Sequence, residues 1–370
     1  MLRSPTRLPD AAWVAAVVGV VVALASTPGC SKPAEVAPVP AAGTLGGPRA
    51  GLEAATLAAF GRGHREFLKV YDEEMGLGPR YNDVSCVSCH FDPVPGGGAG
   101  MDHRARVVFE PPEFVEVWPI KATPGFDPLV VPTTHTVTYR RPPSLLGLGL
   151  LEAIDDAVIR ANCDPDDRDG DGVRGHANVG HDGRVGRVGF KAHNSTIRDF
   201  VASALRAEIG ITNPAKRDPR FRTDRDKVPD PEVGDAVIDD LAAFVRGLAP
   251  PPRDGDHPAG AKVFADVGCA TCHKPSPGPG ADGAYTDLCV HDLGKHFDTG
   301  IPDFLAKSPE WRTAPLWGLR FRKAYLHDER TPDLEQAILL HGGEAQGARD
   351  RFAALAPPAK ADLLRFLRTL

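Results

Sequence analysis

The stretches "SCVSCH" at residues 85–90 and "GCATCH" at residues 268–273 carry the pattern that decides the fold. Each holds two cysteines separated by two residues, and a histidine directly follows the second cysteine. The chain has 370 residues and seven cysteines, so more than half of its cysteines belong to this repeated C-x-x-C-H motif. The repetition matters because a single C-x-x-C occurs in several unrelated kinds of site.

C-x-x-C-H is the attachment signature of c-type haem. Two thioether bonds hold the porphyrin, and the adjacent histidine becomes an axial ligand of the iron. The sequence therefore predicts two covalently bound haems as cofactors. The residues that would hold them are Cys86, Cys89 and His90 in the first copy and Cys269, Cys272 and His273 in the second.

Zinc binding and thiol exchange are the alternatives, and both fit the pattern less well. A zinc site shared by the four cysteines would close a loop of about 180 residues, far beyond the usual ligand spacing of zinc sites. Thioredoxin-like exchange needs C-x-x-C at a strand-to-helix turn, and neither copy follows a β-branched run. A structural lipoprotein whose motifs bind zinc is the least favoured hypothesis.

The repeat extends beyond the cysteines. A G-x-x-x-F spacing precedes each motif, at residues 63–67 and 260–264, and an amphipathic stretch follows each, at residues 235–250 and 360–370. Apolar residues at helical spacing mark a helix that packs on a core. A leading helix, a haem loop and a closing helix are the parts of a cytochrome c domain. The predicted fold is mainly α, with two cytochrome c-type haem domains joined by a loop-rich insertion.

The domain limits follow from composition. Residues 31–50 are rich in proline, alanine and glycine and predict a tether. The three prolines at 250–252 mark a boundary, so the predicted domains are 51–252, with a long insertion, and 253–370. A net charge of -6 and a pI near 6.1 argue against nucleic acid as a partner.

Residues 1–30 resemble a bacterial export signal. Arg3 and Arg7 precede an apolar run at residues 11–25, which is too short to prefer spanning a membrane. Cleavage after Ala25, acylation of Cys30 after lipoprotein processing, and an uncleaved anchor helix are the three alternatives. Each delivers the body of the chain outside the cytoplasm. We therefore expect a periplasmic protein that contacts the membrane only through its N-terminal tether.

The body of the chain resembles the di-haem oxidoreductase family, sometimes labelled thiol oxidoreductase, which is related to the bacterial di-haem cytochrome c peroxidases. The resemblance covers nearly everything from residue 51 to residue 370. The segments that carry it are "GLGPRYNDVSCVSCH" (76–90), "YRRPPSLLGLGLLEAI" (139–154), residues 163–200, "LRAEIGITN" (205–213), "YTDLCVHDLG" (285–294), "EWRTAPLWGL" (310–319), "YLHDER" (325–330) and "LEQAILLHGGEA" (334–345). It implies two mostly helical haem domains whose haems face a shared interface.

The resemblance also assigns roles to individual residues. Glu208 matches the carboxylate that the peroxidase relatives use to move protons to and from peroxide, and a solvent-exposed helix glutamate is the alternative. His341 stands where those relatives place a distal methionine, which makes it the candidate sixth ligand of the second haem. For the first haem the distal candidates are His103 or no protein ligand. Phe190 replaces an expected tryptophan, and Glu329 replaces an expected glycine.

Two further groups of residues suggest bound metal or a cross-link. Asp167, Asp169 and Asp171 match the first half of a calcium loop, where alternate carboxylates converge on a hard cation; the alternative is a solvated acidic turn. The remaining pair, Cys163 and Cys289, is expected to be two buried thiols, with a disulfide as the alternative that export would permit.

These patterns predict a periplasmic di-haem c-type oxidoreductase that transfers electrons between its haems and reduces peroxide at the N-terminal one. Its expected partner is a small cytochrome, a cupredoxin or a small-molecule oxidant. The alternative is a non-catalytic di-haem electron carrier in a respiratory or photosynthetic chain.

Overall fold

We describe a computed structural model of the chain, covering residues 38–99, 103–110, 114–180, 182–215 and 223–370. The predicted export signal, Cys30 and the first part of the predicted tether lie outside these residues. The helices are α1 (Ala54–Leu68), α2 (Cys86–Cys89), α3 (Leu148–Glu152), α4 (Asp156–Asn162), α5 (Ile197–Ala204), α6 (Asp235–Gly247), α7 (Pro258–Asp266), α8 (Leu334–Leu339), α9 (Gln346–Ala353) and α10 (Pro357–Leu367). The strands are β1 (Arg80–Tyr81), β2 (Ala105–Glu110), β3 (Phe114–Val117), β4 (Lys121–Ala122), β5 (Thr136–Arg140), β6 (Val290–Asp292) and β7 (Glu310–Arg312).

Helices α1 and α6 form the first of two matching helix pairs. Gly63 lets the two backbones approach, since a Cβ at this position would lie 1.9 Å from the carbonyl oxygen of Asp240. One turn further on, the rings of Phe67 and Phe244 lie 4.7 Å apart. The G-x-x-x-F spacing thus marks the place where the leading helix crosses the closing helix.

Helices α7 and α10 repeat this crossing beside the second motif. A Cβ at Gly260 would lie 2.1 Å from the carbonyl oxygen of Asp362, and the rings of Phe264 and Phe366 are 5.4 Å apart. The two crossings use a glycine and a phenylalanine in equivalent roles, which extends the sequence repeat to tertiary packing.

Each helix pair belongs to its own hydrophobic cluster. Around α1 and α6 the larger cluster gathers buried side chains from the insertion, including Leu151, Ile197 and Leu205. Around α7 and α10 the smaller one includes Tyr285 and Phe352. Helix is the commoner regular structure among the described residues, consistent with the predicted mainly-α class, and residues 38–370 form one compact unit.

The insertion adds a small antiparallel sheet and long ordered loops. Strand β2 is central, pairing β3 through Val108 and Glu116 and pairing β5 through Ala105 and Arg140. Two-stranded pairs β1–β4 and β6–β7 fasten other loops. Strand β5 ends at Arg140, which lines a cleft beside the first motif.

A disulfide joins Cys163 to Cys289, with Cα atoms 5.8 Å apart. The expectation of two separate thiols is therefore wrong. The reason is tertiary: α4 ends at Asn162, whose side-chain amide donates to the carbonyl oxygens of Pro277 and Asp287, and this brings its next residue onto the segment before β6.

The segment assigned to a tether packs on the body over its last residues. The amide of Arg49 donates to the carbonyl of Gly247, and the amide of Ala249 donates to that of Gly47. Within the described part of the chain, no helix has the length and apolar character needed to cross a bilayer.

Candidate haem sites

The first motif forms a single helical turn that aims its histidine. Ser85 caps α2, its hydroxyl accepting from the amide of Ser88 at 3.1 Å, and the amide of His90 donates to the carbonyl of Cys86 at 3.1 Å. The Nδ1 atom of His90 lies 3.1 Å from the carbonyl oxygen of Gly97. Since that carbonyl can only accept, Nδ1 carries the proton and Nε2 keeps a free lone pair for a metal.

The second motif repeats these contacts. The turn is a 3-10 helix, Cys269–Thr271, and the amide of His273 donates to the carbonyl of Cys269 at 2.9 Å. The Nδ1 atom of His273 lies 2.9 Å from the carbonyl oxygen of Tyr285. Burial lowers the pKa of His90 and of His273 to about 4, so both rings are neutral at physiological pH, as iron ligation requires.

The four motif cysteines are free thiols that do not resemble thiol-exchange catalysts. Burial raises the pKa of Cys86, of Cys89 and of Cys269 to about 12. Thiol exchange needs the thiolate, and a low pKa is what provides it. Among the described residues, no cluster of potential metal ligands joins cysteines of the two motifs, which gives a shared zinc site no support.

A cleft of about 1650 Å³ opens beside the first motif, larger than the roughly 300–1,000 Å³ of ordinary small-molecule sites. Cys86, Cys89 and His90 all line it. Its wall also holds Arg140, whose buried Nε and Nη2 atoms have no hydrogen-bond partner among the described residues. A large, mostly apolar cleft with paired thiols, a free imidazole nitrogen and an orphaned cation fits a haem, which is apolar across its plane and carries carboxylates on one edge.

Glu208 lines the same cleft and is half-buried, not exposed. It lies in a short π-helical segment, Leu205–Ile209, a local geometry that often occurs at functional sites. Its Oε2 atom accepts from the side-chain amide of Asn82 at 2.7 Å. Burial raises the pKa of Glu208 despite this hydrogen bond. The arrangement supplies a fixed carboxyl group whose pKa is raised above that of an ordinary glutamate.

His341 lies near the second motif. It is half-buried, and its Nδ1 atom lies 2.8 Å from the carbonyl oxygen of Ala337, so its Nε2 atom keeps a lone pair that can bind a metal. Burial lowers the pKa of His273, and the charge of His341 lowers it further, so the two rings interact electrostatically. His341 stays a predicted ligand of the second haem.

His103 stands beside Cys89 and Asp83, with potential ligand atoms within 4.8 Å of one another. Its ring packs edge-on against Phe91 at 5.6 Å. The Nε2 atom lies 3.9 Å from a carboxylate oxygen of Asp83. His103 therefore reaches the attachment end of the first site.

The acidic stretch folds into a loop whose three carboxylates converge. Oxygen atoms of Asp167, Asp169 and Asp171 lie within 4.8 Å of one another. Each carboxylate also accepts from a backbone amide of the loop, and Arg174 lies 3.6 Å from Asp167. Calcium binding stays a prediction, because an acidic turn without an ion makes the same contacts.

A buried triad at the second motif was not predicted. Nε2 of His291 lies 2.9 Å from Asp287, and Nδ1 lies 2.7 Å from Glu344 and 3.7 Å from Sγ of Cys272. Burial alone would lower the pKa of His291, but the two carboxylates raise it well above its ordinary value. The chain thus holds an imidazolium against the haem-attachment cysteine. His291 lies within residues 285–294, which carry the family resemblance, but no feature of the local sequence predicts its contact with Cys272.

Glu329 and Phe190 are the two residues that differ from those the resemblance leads us to expect. Glu329 adopts a φ of +52°, the left-handed conformation that glycine takes most easily, and its carboxylate pairs with Arg141 at 2.8 Å. The loop therefore keeps a glycine-like backbone and gains a half-buried ion pair. Phe190 lines the cleft, and its ring contacts that of Trp311 edge-on at 6.3 Å.

A protein-family comparison identifies the family of the chain. The family model described as "Di-haem oxidoreductase, putative peroxidase" matches residues 134–370. No curated protein matches the sequence.

Two solved structures are similar at low identity. Hydrazine synthase of Kuenenia stuttgartiensis is 15% identical over 95% of this chain and 99% of its own, with a TM-score of 0.44. A MauG-like protein associated with microbial copper homeostasis is 17% identical over 60% of this chain and 87% of its own, with a TM-score of 0.32. At such TM-scores neither likeness bears on the activity of this chain.

Proposed function

The chain belongs to the di-haem oxidoreductase family, and from that membership we propose that it is an exported enzyme with two c-type haems that reduces peroxide at the N-terminal one. The observation that carries the proposal is the position of Glu208. A half-buried carboxyl group of raised pKa lines the same cleft as Cys86, Cys89 and His90. A proton-transferring group within a redox site is what distinguishes a peroxidase from a simple electron carrier.

The chemistry that the haems supply when bound is one-electron redox exchange. The overall reaction consumes one peroxide, two electrons and two protons and yields two waters. The electrons come from a reduced partner protein, which we propose to be a small cytochrome or a cupredoxin. The protein's own contribution is to hold the groups and move the protons.

Proton transfer is assigned to Glu208. As a carboxylate it accepts a proton from incoming peroxide, and as a carboxylic acid it returns a proton to the departing oxygen. Asn82 fixes its position, because the Asn82 side-chain amide donates to Oε2 while the Asn82 backbone amide donates to the carbonyl of Glu208 at 2.6 Å.

Proximal ligation is assigned to His90 and His273, and distal ligation of the second haem to His341. Each of the three rings uses Nδ1 on a backbone carbonyl, which orients the ring and leaves Nε2 for iron. On this assignment His273 and His341 would hold the C-terminal haem and suit it to electron storage, whereas His90 would hold the N-terminal haem at which peroxide is reduced.

Export to the periplasm is part of the proposal. The Cys163–Cys289 disulfide supports it, because disulfides persist in oxidising compartments. Haem attachment to C-x-x-C-H also fits an exported chain. We propose that residues 1–30 direct export and that Cys30 is the point of a lipid anchor.

Peroxide-dependent oxidation of a reduced small cytochrome, followed by its absorbance, tests the function. Glu208→Gln is expected to lower kcat by roughly 10²-fold or more, the usual size of an acid-base contribution. Glu74→Gln is the matched control, since Glu74 is exposed. If wild-type protein leaves peroxide and the reduced cytochrome unchanged while holding two haems, the chain is the non-catalytic electron carrier.

A further inference from the structure

Arg140 is a buried cation with unused donors. It ends strand β5, and 7% of the residue is exposed. Its Nε and Nη2 atoms have no hydrogen-bond partner among the described residues, and the guanidinium lies over the ring of Trp311 at 5.3 Å. An uncompensated buried charge is costly, typically by several kcal/mol, unless an opposite charge meets it. Arg140 therefore points to a missing anion.

Asp303 is the acidic group whose charge acts on Arg140. Asp303 is buried, and its Oδ2 atom lies 2.9 Å from Nδ1 of His193. Burial would raise the pKa of Asp303, but His193, then Arg140 and Lys191, lower it. Asp303 thus interacts electrostatically with His193, Arg140 and Lys191, but no carboxylate oxygen of the described residues hydrogen-bonds Nε or Nη2 of Arg140.

Lys191 has no free hydrogen-bond donor for an anion. Its Nζ atom donates to the carbonyl oxygens of residues 307, 308 and 310 at 2.6–2.9 Å, which uses all three of its protons. Arg140 keeps unused donors, and His193 contacts Asp303 through Nδ1, 2.9 Å from Oδ2, although this pair lacks hydrogen-bond geometry. Both side chains line the same cleft as the first motif.

Arg140 and His193 lie on the wall of the cleft that the first motif also lines. The charged side chains that act on Cys89 are Glu208, Asp83 and Lys121, whereas the charge that acts on Arg140 is that of Asp303. In the haem that C-x-x-C-H binds, the thioether bonds lie on one edge of the porphyrin and the two propionates on the opposite edge. A carboxylate is thus expected where Arg140 and His193 stand.

We propose that Arg140 and His193 form a carboxylate-binding site that takes a propionate of the N-terminal haem, with Asp303 as the residue that positions His193. The proposal rests on the haem of the proposed function and deepens it. The ligand chemistry is that of a carboxylate, and a free small carboxylate entering from solvent is the other source. The site then couples the potential of the N-terminal haem to the charge of Arg140.

The test is a potentiometric titration of the holoprotein, read from the absorbance of each haem. Ferric haem carries one more positive charge than ferrous haem, so a neighbouring cation favours the ferrous form. Arg140→Gln should lower the midpoint potential of the N-terminal haem, and Arg140→Lys should lower it less. Arg65→Gln is the control on an exposed arginine. In His193→Asn the propionate bending bands of the resonance Raman spectrum should shift.

Two outcomes would overturn the proposal. In the first, Arg140→Gln and Arg140→Lys retain two covalent haems with wild-type potentials and propionate bands; the proposed function then survives without this site. In the second, added formate perturbs the wild-type ferric spectrum and Arg140→Gln abolishes that effect, so the site takes a free carboxylate. If Arg140→Gln does not fold, Arg140→Lys and His193→Asn still decide the question. Absence of covalent haem from wild-type protein would instead refute the proposed function.

Discussion

The Nδ1 atom of His273 lies 2.9 Å from the carbonyl oxygen of Tyr285, twelve residues further along the chain. His90 makes the same contact with the carbonyl of Gly97. Both contacts fix the tautomer that leaves Nε2 unprotonated, the state a metal-binding histidine needs. The local fold of each motif is therefore arranged for ligation, and covalent haem is the first property to test.

Covalent haem should be present twice per chain. Acid-acetone extraction should leave the pyridine haemochrome signal with the protein, and the mass should exceed that of the polypeptide by two haems. Cys269→Ser should make only the second haem attachment incomplete, because one thioether remains there. Ser88→Ala, inside the first motif, is the control. Extractable haem, or tightly bound zinc in its place, would contradict the assignment.

The two attachment motifs and the helix crossings beside them could be predicted from sequence, because they depend on short spacings between residues. The C-x-x-C-H motifs and the G-x-x-x-F spacing each act within one or two helical turns. The structure shows their physical reason: Gly63 and Gly260 lie where a leading helix crosses a closing helix.

The rest depends on contacts between distant segments. Arg140, His193 and Asp303 line one cleft although 163 positions separate the first from the last, since 303 − 140 = 163. The Cys163–Cys289 disulfide closes over 126 positions. No local sequence periodicity predicts contacts between residues so far apart in the chain. The orphaned guanidinium of Arg140 could be found only after its burial was known.

Glu208 should impose a pH dependence on peroxide turnover. Burial raises its pKa above that of an ordinary glutamate, so the carboxylate that accepts the proton forms at higher pH than usual. The rate should rise with pH through this raised pKa, and Glu208→Gln should remove that limb of the profile. The same shift favours the protonated folded state, so its contribution to stability is present at low pH and lost as pH rises through the folded pKa. A pH–rate profile of wild type identical to that of Glu208→Gln would rule out this role.

Calcium should stabilise the acidic loop. Asp167, Asp169 and Asp171 repel one another without a cation, so chelation should lower the melting temperature of wild type. Asp169→Asn should melt at the chelated wild-type temperature and be insensitive to chelator. Asp166→Asn is the control, since Asp166 lies outside the converging group. Equal melting curves of wild type with and without chelator would identify the loop as a solvated turn.

The loop is also joined to the second haem site. The amide of Arg174 donates to Glu344 at 2.9 Å, and a Cβ at Gly175 would lie 2.1 Å from the ring of His291. A change in the loop should therefore perturb the absorbance of the C-terminal haem more than that of the N-terminal one.

His291 should stabilise the C-terminal core as a buried cation. Its pKa is raised by Asp287 and Glu344, so its stabilising contribution is fully present below an ordinary histidine pKa and is lost as pH rises through the folded pKa. His291→Gln leaves two buried carboxylates without their cation and should cost roughly 3–5 kcal/mol of unfolding free energy. Chemical denaturation across pH measures both effects. His257→Gln, on a partly exposed histidine, is the control.

His341 should be the distal ligand of the haem on Cys269 and Cys272. That haem would then have two imidazole ligands and be low-spin. Its potential would lie below that of a histidine/methionine haem, because imidazole donates electrons more strongly than a thioether and favours ferric iron. Methionine is no alternative from this domain, since none follows Met101 in the sequence.

The decisive variant is His341→Ala, read by electron paramagnetic resonance of the oxidised protein. One haem should change from low-spin to high-spin while the signal of the other stays intact, and added imidazole should restore the low-spin signal. His135→Ala, on a histidine of the insertion, is the control. If both signals persist in His341→Ala, another group ligates the second iron. If both haems of wild type also stay low-spin and unchanged by peroxide, the electron-carrier alternative replaces the enzyme, because no iron then offers an open position to substrate.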